Sequence, residues 1–437
     1  MSATTASGAA RPRVVLPAYH PGQVTAAASP ARFNVLACGR RFGKTTLAIR
    51  KCAETAIAGG PAAWGGPTYK SVGETWRLFS DLLRPVTKRR SEQEKRLELI
   101  TGGILDVWSL EEPDVVRGRG YKRFVVDEAA AIPRLQYAWE QVIRPTLTDH
   151  LGDCLFLSTP KGRNFFWELY RQGTDPDDAE WASWRFPSLA NPYLPAGEIE
   201  AARRSLPARV FAQEYEADFV SEDVGVFRRV EEAARAPGAT PQEHALAGHV
   251  YVAGLDFGRY ADFTVCTVID VSLSPPELVA MDRFNQTDWQ TQWTRLQALC
   301  GRFRPSYILA ERNAAGEPVL AVLRMLGLPV VDFITSNPSK ATAVQALALA
   351  FEQDQLRILN DPILVGELQA FEAERLPTSG MIRYAAPEGK HDDCVISLCL
   401  GWLAATQHLT RQTRTALSFG PTRRTPGEPT LEGARAN

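Results

Sequence analysis

Gly43-Lys44-Thr45-Thr46 follows the turn Gly39-Arg40-Arg41-Phe42, which in turn follows the apolar run Phe33–Cys38. Strand, small-residue loop and amphipathic segment in that order suit triphosphate chemistry. Backbone N–H groups of the loop and of the next helix start face phosphate oxygens, the Lys44 ammonium reaches the β and γ oxygens, and the Thr45 hydroxyl ligates Mg²⁺. The usual phosphate loop opens on glycine, but here Cys38 holds that place and Gly39 comes one residue later. A second apolar run, Arg123–Val126, ends on two acids, Asp127 and Glu128. Asp127 is placed to hold the magnesium ion and Glu128 to polarise an attacking water, so the pair completes a site for ATP hydrolysis. Gln23, in His20-Pro21-Gly22-Gln23, is a candidate reader of the adenine edge. Ser158-Thr159-Pro160, after Leu155-Phe156-Leu157, is a candidate γ-phosphate sensor, although a polar residue after a strand is commonly just a turn.

The second half carries carboxylates where strands and a helix should end. Asp256 closes Tyr251–Leu255, Glu311 closes Ser306–Ala310, and Asp392 and Asp393 open the apolar segment Cys394–Leu400. Phosphodiester hydrolysis without a covalent intermediate is well served by two divalent metals held by oxygen ligands from different elements, and hard carboxylates select Mg²⁺ or Mn²⁺. Either of Asp392 and Asp393 equally suits a helix N-cap. Asp256-Phe257-Gly258 matches a kinase tripeptide, but no kinase catalytic loop precedes it and the nucleotide loop is of another kind.

The elements that must position these groups read as α/β. Before about residue 220, strand candidates Phe33–Cys38, Arg123–Asp127 and Cys154–Ser158 alternate with helix candidates Thr45–Ile57, Lys70–Leu83 and Asn164–Tyr170, which points to a mainly parallel sheet. After about residue 249 come three extended runs, Val250–Asp256, Thr264–Val271 and Leu278–Asn285, and then mixed segments, which points to a mixed sheet. The expected organisation is a disordered stretch 1–13, a first domain 14–220, a linker 221–248, a second domain 249–410 and a flexible tail 411–437. The chain has 437 residues, 45% hydrophobic and 23% charged, with 49 basic against 50 acidic side chains. A protein that coats nucleic acid constitutively would be more basic, so any contact with DNA must come from local patches such as Lys88-Arg89-Arg90 or the tail arginines Arg411, Arg414, Arg423 and Arg424. The seven cysteines form no C-x-x-C pair and sit in apolar runs, as free buried thiols would. No long apolar span or secretory leader is visible, so the expected location is cytoplasmic.

In their order along the chain these motifs resemble the large terminase subunit of tailed phages, from about Tyr19 to about Leu403. The resemblance rests on Gln23, the arginine-rich loop Gly39–Thr45, Pro67-Thr68-Tyr69-Lys70, Arg117-Gly118, Ser158–Gly162, Phe211-Ala212-Gln213-Glu214-Tyr215, Glu311-Arg312-Asn313 and His391-Asp392-Asp393. It implies a P-loop ATPase domain, with Gly39, Arg40, Arg41, Gly43, Lys44, Thr45 and Thr46 on the nucleotide, followed by an RNase H-like nuclease domain. It further implies Arg40 on the γ-phosphate within the subunit and Arg117 as a finger reaching a neighbouring subunit. Asp256, Glu311 and Asp392 or Asp393 become ligands for two Mg²⁺ or Mn²⁺, with Asp262 as an accessory. The expected function is ATP-driven translocation of double-stranded DNA into a capsid and metal-dependent cutting of concatemers. A portal protein, a small terminase subunit and four further copies of the chain are the implied partners. The rival expectations are a helicase-like remodelling ATPase with a non-catalytic appendage, and a scaffold that uses nucleotide only as a switch.

Overall fold

The computed structural model describes residues 12–220, 225–235, 241–258, 263–312, 316–375 and 382–418. The chain divides into two compact units, Met1–Val226 with Phe371–Ala385, and Phe227–Ala370 with Ala386–Asn437.

The first unit is built on an eight-stranded sheet. Its strands are β1 (Phe33–Cys38), β2 (Pro61–Gly66), β3 (Thr87–Ser91), β4 (Arg96–Leu99), β5 (Ile104–Ser109), β6 (Arg123–Val126), β7 (Asp153–Ser158) and β8 (Trp181–Phe186), in the order β3-β4-β5-β2-β6-β7-β1-β8. Pairing is parallel from β5 through β8 and antiparallel at β3-β4-β5. Alternate residues of the central strands feed two cores. Leu36, Cys38, Val125, Leu155 and Leu157 join one with the helices Lys44–Ile57 and Tyr69–Leu83, while Phe33, Val35, Ala37, Phe124, Val126 and Phe156 join the other with Trp139 and Trp181. A parallel sheet covered on both faces needs such continuously apolar strands, which is why these runs show no alternation in sequence. Strand β3 is the edge of this sheet. Its Arg89 and Arg90 pair with Glu98 and Glu92, so most of the charge in the Lys88-Arg89-Arg90 cluster is answered locally.

The second unit holds a five-stranded sheet of β9 (Tyr251–Asp256), β10 (Thr264–Asp270), β11 (Glu277–Phe284), β12 (Tyr307–Glu311) and β13 (Val330–Phe333), ordered β11-β10-β9-β12-β13. The first three pair antiparallel, and β9-β12-β13 pair parallel. The helix Asp393–Ser418 lies across β9 and β10. It can do so because two glycines face each other: a Cβ on Gly254 would stand 2.1 Å from the Ser397 carbonyl oxygen and 2.2 Å from the Gly401 nitrogen. Ser397 Oγ donates to the Gly254 carbonyl at 3.0 Å, and Thr267 Oγ1 donates to the Ser397 carbonyl at 3.0 Å, satisfying polar groups at this dry contact.

Three expectations about boundaries change. Within the expected linker 221–248, residues 227–235 and 241–248 are not a free connector, because Phe227, Val230 and Ala234 are buried and Gln242 N–H bonds to the Val279 carbonyl at 2.9 Å within the second unit. The last helix runs to Ser418, well past the Leu400 end suggested by apolar patterning and eight residues into the expected tail. The hairpin β14 (Glu372–Arg375) and β15 (Ile382–Ala385) groups with the first unit. Residues 1–11 and 419–437, which include Arg423 and Arg424, lie outside the described residues, as do the side chains of Arg411 and Arg414.

The glycine contact gives a direct test. Gly254→Ala forces a methyl group into backbone atoms that cannot rotate away, and overpacking of this kind costs about 1–3 kcal/mol. A fall of that size in unfolding free energy, read by chemical denaturation of the full chain, is the expected outcome, and an unchanged midpoint would show that the helix can lift off β9 freely.

Candidate functional site

The phosphate loop is shaped by what happens to its carbonyls. Strand β1 continues through the fully buried Cys38, and the turn begins at Gly39, where a Cβ would stand 2.4 Å from the Tyr215 carbonyl oxygen and 2.7 Å from the Ser188 nitrogen. The requirement for glycine has moved one residue along, which explains why cysteine is tolerated at the place where the motif usually opens. Four consecutive carbonyls are then tied to side chains from outside the loop. Ser188 Oγ donates to Arg40 at 2.6 Å, Asn191 Nδ2 to Arg41 at 2.8 Å and Gln23 Nε2 to Gly43 at 2.8 Å, while His20 Nε2 meets the Phe42 oxygen at 2.8 Å. Arg41 and Gly43 take positive φ, 62° and 98°, to make the turn. The helix Lys44–Ile57 starts directly behind it, so the loop meets the positive end of a helix dipole.

A cavity of 770 Å³ opens on this loop, lined by Arg40, Arg41, Gly43, Lys44, Thr45, Thr46, Pro67, Glu128, Thr159, Lys161, Asn191 and Glu214, among others. Lys44 Nζ stands 3.2 Å from Glu128 Oε1, which joins the loop lysine to the expected base. Glu128 sits in left-handed backbone at φ 48°, a conformation costing a non-glycine residue about 1–3 kcal/mol and typical of functional turns. Behind it, Asp127 Oδ1 is buried without a hydrogen-bond partner among the described residues. Burial, and then the neighbouring Glu128 charge, push the Asp127 carboxyl up to about 7. An orphaned carboxylate oxygen at the end of β6, together with the Thr45 hydroxyl on the cavity wall, is a donor set that fits Mg²⁺, which prefers hard oxygen ligands. The end of β7 is linked to the same turn, since Ser158 Oγ accepts from Ala130 N–H at 3.1 Å and Thr159 lines the cavity.

Three further residues expected to act on nucleotide have partners within the chain. Gln23 is buried, and both ends of its amide are engaged, Oε1 accepting from His20 N–H at 3.0 Å and Nε2 holding Gly43. It braces the loop through both bonds. Arg40 lines the cavity, but its guanidinium pairs with Glu214. Arg117 is half-exposed and bound to Asp114 and to the Tyr137 hydroxyl within its own chain, and it is not among the cavity's lining residues.

In the second unit, β9 and β12 run parallel and end side by side on Asp256 and Glu311. Asp256 is 7% exposed. Burial, then Glu311, then Asp393 and Asp392, raise its carboxyl well above the usual range, and the Asp256 and Glu311 carboxyls are within hydrogen-bonding reach of each other. Four acids from two strand ends and one helix start are therefore gathered in one neighbourhood. Among the described residues no three such groups are already drawn into a single ligand shell, so the arrangement is a carboxylate pair with two more acids beside it. The two adjacent aspartates part company here. Asp393 is buried, accepts from Phe263 N–H at 3.2 Å and has His391 Nδ1 3.5 Å away. Asp392 is more exposed and pairs with Lys340 Nζ at 3.4 Å. An all-oxygen donor set of this kind fits Mg²⁺ or Mn²⁺. Asp262 and Asn313 lie outside the described residues.

Several site residues carried no signal of their own in sequence. His20, Ser188 and Asn191 act on the loop from far away in the chain, and Glu214 was visible only as part of a familiar pentapeptide. Lys340 and Glu367, on helices, and Arg283, on β11, look like ordinary surface charges until those elements are packed.

The family model described as "Terminase large subunit, T4likevirus-type, N-terminal" matches residues 35–234, and the "Terminase RNaseH-like domain" matches residues 253–404. The chain belongs to the large terminase family. The large terminase subunit of Thermus virus P23-45 is 30% identical over 321 residues, 67% of this chain and 64% of that one. That of Escherichia phage T5 is 33% identical over 204 residues, 45% of this chain and 46% of that one. The chain thus spans less than two thirds of the length of these curated relatives. The solved large terminase of a thermophilic bacteriophage superposes with a TM-score of 0.53 at 13% identity over 89% of this chain and 99% of that one, a likeness of fold. The mixed sheet of the second unit is accordingly the terminase version of the RNase H-like fold, and the first unit is the terminase P-loop domain.

The buried Asp127 gives a pH test. Its folded carboxyl keeps the proton up to about 7, whereas an unfolded aspartate releases it near ~3.9. Between those values the folded chain binds more protons than the unfolded one, so this group makes stability fall as pH rises through the window. Asp127→Asn is expected to flatten that fall and to stabilise the chain at pH 7 in metal-free buffer, read by thermal unfolding at a series of pH values. A steeper fall in the variant would contradict the burial argument.

Proposed function

We propose that the chain is the motor and nuclease of a DNA-packaging machine, hydrolysing ATP to drive double-stranded DNA into a capsid and cutting concatemeric DNA at the start and end of packaging. The observation that carries this reading is the coexistence, on one terminase chain, of a clamped phosphate loop facing an acid pair and a separate four-carboxylate cluster on an RNase H-like sheet.

In the first unit, loop N–H groups and Lys44 hold the β and γ phosphates, and Glu128 orients the attacking water once phosphate draws Lys44 away from it. Arg40 leaves Glu214 for the γ-phosphate in the same movement. Thr45 and Asp127 hold Mg²⁺, which offsets phosphate charge when bound. Loss of the γ-phosphate is felt at Thr159 and, through Ser158, at the turn that carries Glu128. In the second unit, Asp256, Glu311 and Asp393, with Asp392 beside them, would hold two Mg²⁺ or Mn²⁺, whose chemistry when bound is activation of water and charge stabilisation at the leaving oxygen. The chain's own contribution there is to keep the anionic ligands together against their mutual repulsion. By family likeness the working partners are a portal protein, a small terminase subunit and a ring of five copies of this chain.

Purified chain incubated with supercoiled plasmid and Mn²⁺ or Mg²⁺ tests the nuclease half. Wild type and Lys44→Ala are expected to cut, Asp256→Ala to leave the plasmid intact, and Lys44→Ala to lose ATP turnover. If no protein cuts with either metal, a helicase-like ATPase with a structural second domain becomes the better account.

Arg117 has its own expectation. Its exposure and in-chain partners suit a finger presented to a neighbouring subunit, where such a group contributes about 10³–10⁵-fold to turnover. Arg117→Ala is expected to abolish turnover of the assembled ring while leaving ATP binding by the single chain unchanged, measured by equilibrium titration. Loss of binding would remove the assignment.

A further inference from the structure

Four acids crowd the carboxylate cluster, and their mutual repulsion works to push the helix Asp393–Ser418 away from the strand ends. Something must hold the first turn of that helix in place. Glu367, on the helix Pro362–Ala370, is buried at 8% exposure, and its Oε2 accepts the Cys394 N–H at 2.8 Å. Cys394 directly follows Asp392 and Asp393, so this bond ties down the backbone that carries both. A carboxylate on a first-turn N–H is a strong anchor, because it is charge-assisted and faces the positive end of the helix dipole. It also brings a fifth carboxyl group, with its own charge, into the neighbourhood.

Arg283 on β11 answers that charge. Its Nη2 is 3.5 Å from Glu367 Oε1, and its guanidinium carbon lies 3.2 Å from the centre of the Phe263 ring. Phe263 in turn donates its backbone N–H to Asp393 Oδ2 at 3.2 Å and meets the His391 ring edge-on at 5.2 Å. One arginine therefore grips both supports of the acids, the helix anchor through Glu367 and the Asp393 carboxylate through Phe263. Arg283 Nε is buried without a partner among the described residues. An unmet buried donor is destabilising, so the position sacrifices stability for placement. Its planar, always-charged head stacks and bridges at once, which a lysine cannot do.

We infer that Arg283 and Glu367 are the positioning pair of the carboxylate cluster, fixing Asp393 and the start of its helix against Asp256 and Glu311 without touching metal or DNA themselves. The inference rests on the nuclease reading of that cluster. Supporting residues around metal ligands typically cost about 10–100-fold in metal affinity or activity when removed.

The test is Mn²⁺ binding to the full chain, followed by electron paramagnetic resonance of the free ion, with Asp256→Ala defining which sites belong to the cluster. Glu367→Ala and Arg283→Met are expected to weaken the Asp256-dependent sites by about 10–100-fold. Plasmid cutting should fall at low Mn²⁺ and recover at high Mn²⁺. Glu367→Gln keeps an acceptor for the Cys394 N–H and is expected to regain most of the affinity, which a merely structural role would not produce. Circular dichroism checks that each variant is folded; should Glu367→Ala not fold, Arg283→Met carries the same expectation. If Glu367→Ala and Arg283→Met bind Mn²⁺ within about two-fold of wild type while Asp256→Ala does not, the positioning inference fails and the nuclease reading stands, since the expected loss is several times larger. If Asp256→Ala binds as wild type does, the nuclease reading fails and the inference with it.

Discussion

The direction of four backbone carbonyls governs the first unit. A loop that is to bind phosphate must turn its N–H groups toward the ligand, and that requires the carbonyls of the same peptides to face away and find partners. Ser188, Asn191, His20 and Gln23 supply them for residues 40 through 43. Each bond is modest alone, about 0.5–1.5 kcal/mol net, but together they fix a strained turn with two positive φ angles. The remaining features follow from that fixed turn. Lys44 is aimed at Glu128, Glu128 is held in a left-handed turn bounded by β6 and Ser158, and Arg40 is stored against Glu214. Catalysis in such a site is positioning and electrostatics, so rigidity of the loop matters more than any one side chain.

The second unit solves a different problem, holding like charges together. Two parallel strand ends bring Asp256 beside Glu311, and a close glycine contact sets the helix that delivers Asp393. Without Gly254 and Gly401 the helix could not approach the sheet, and no capping or ion pair would make up the distance. Lys340, Arg283 and the Cys394 N–H then spread countercharge around the cluster without filling it.

Charge pairing also revises how the arginines are understood. Arg89 and Arg90 look like a DNA patch in sequence, yet on an edge strand they are paired across β3 and β4 or to the adjoining turn, and a charged edge discourages pairing with another sheet. Arg40, Arg117 and Arg123 likewise have acidic partners, Arg123 with two bonds of 2.7 Å to Asp153.

Much of this was legible in the residues themselves. The runs Phe33–Cys38, Arg123–Asp127 and Cys154–Ser158 read as buried strands because each is largely apolar and leads into chemistry-bearing residues, and β1, β6 and β7 form there. The order of motifs points to the family, and the acids Asp127, Glu128, Asp256, Glu311, Asp392 and Asp393 stand out by type and by their place at the ends of apolar runs. Those signals are local, carried by side-chain type and short spacing. The different surroundings of Asp392 and Asp393, the bracing of the loop by Gln23, the packing of residues 227–235 and 241–248 into the second unit and the extension of the last helix to Ser418 were not local. Each depends on which groups meet from segments tens to hundreds of residues apart, and a sequence states composition along a line, not which carbonyl, ring or carboxylate will lie three ångströms away once the core has closed.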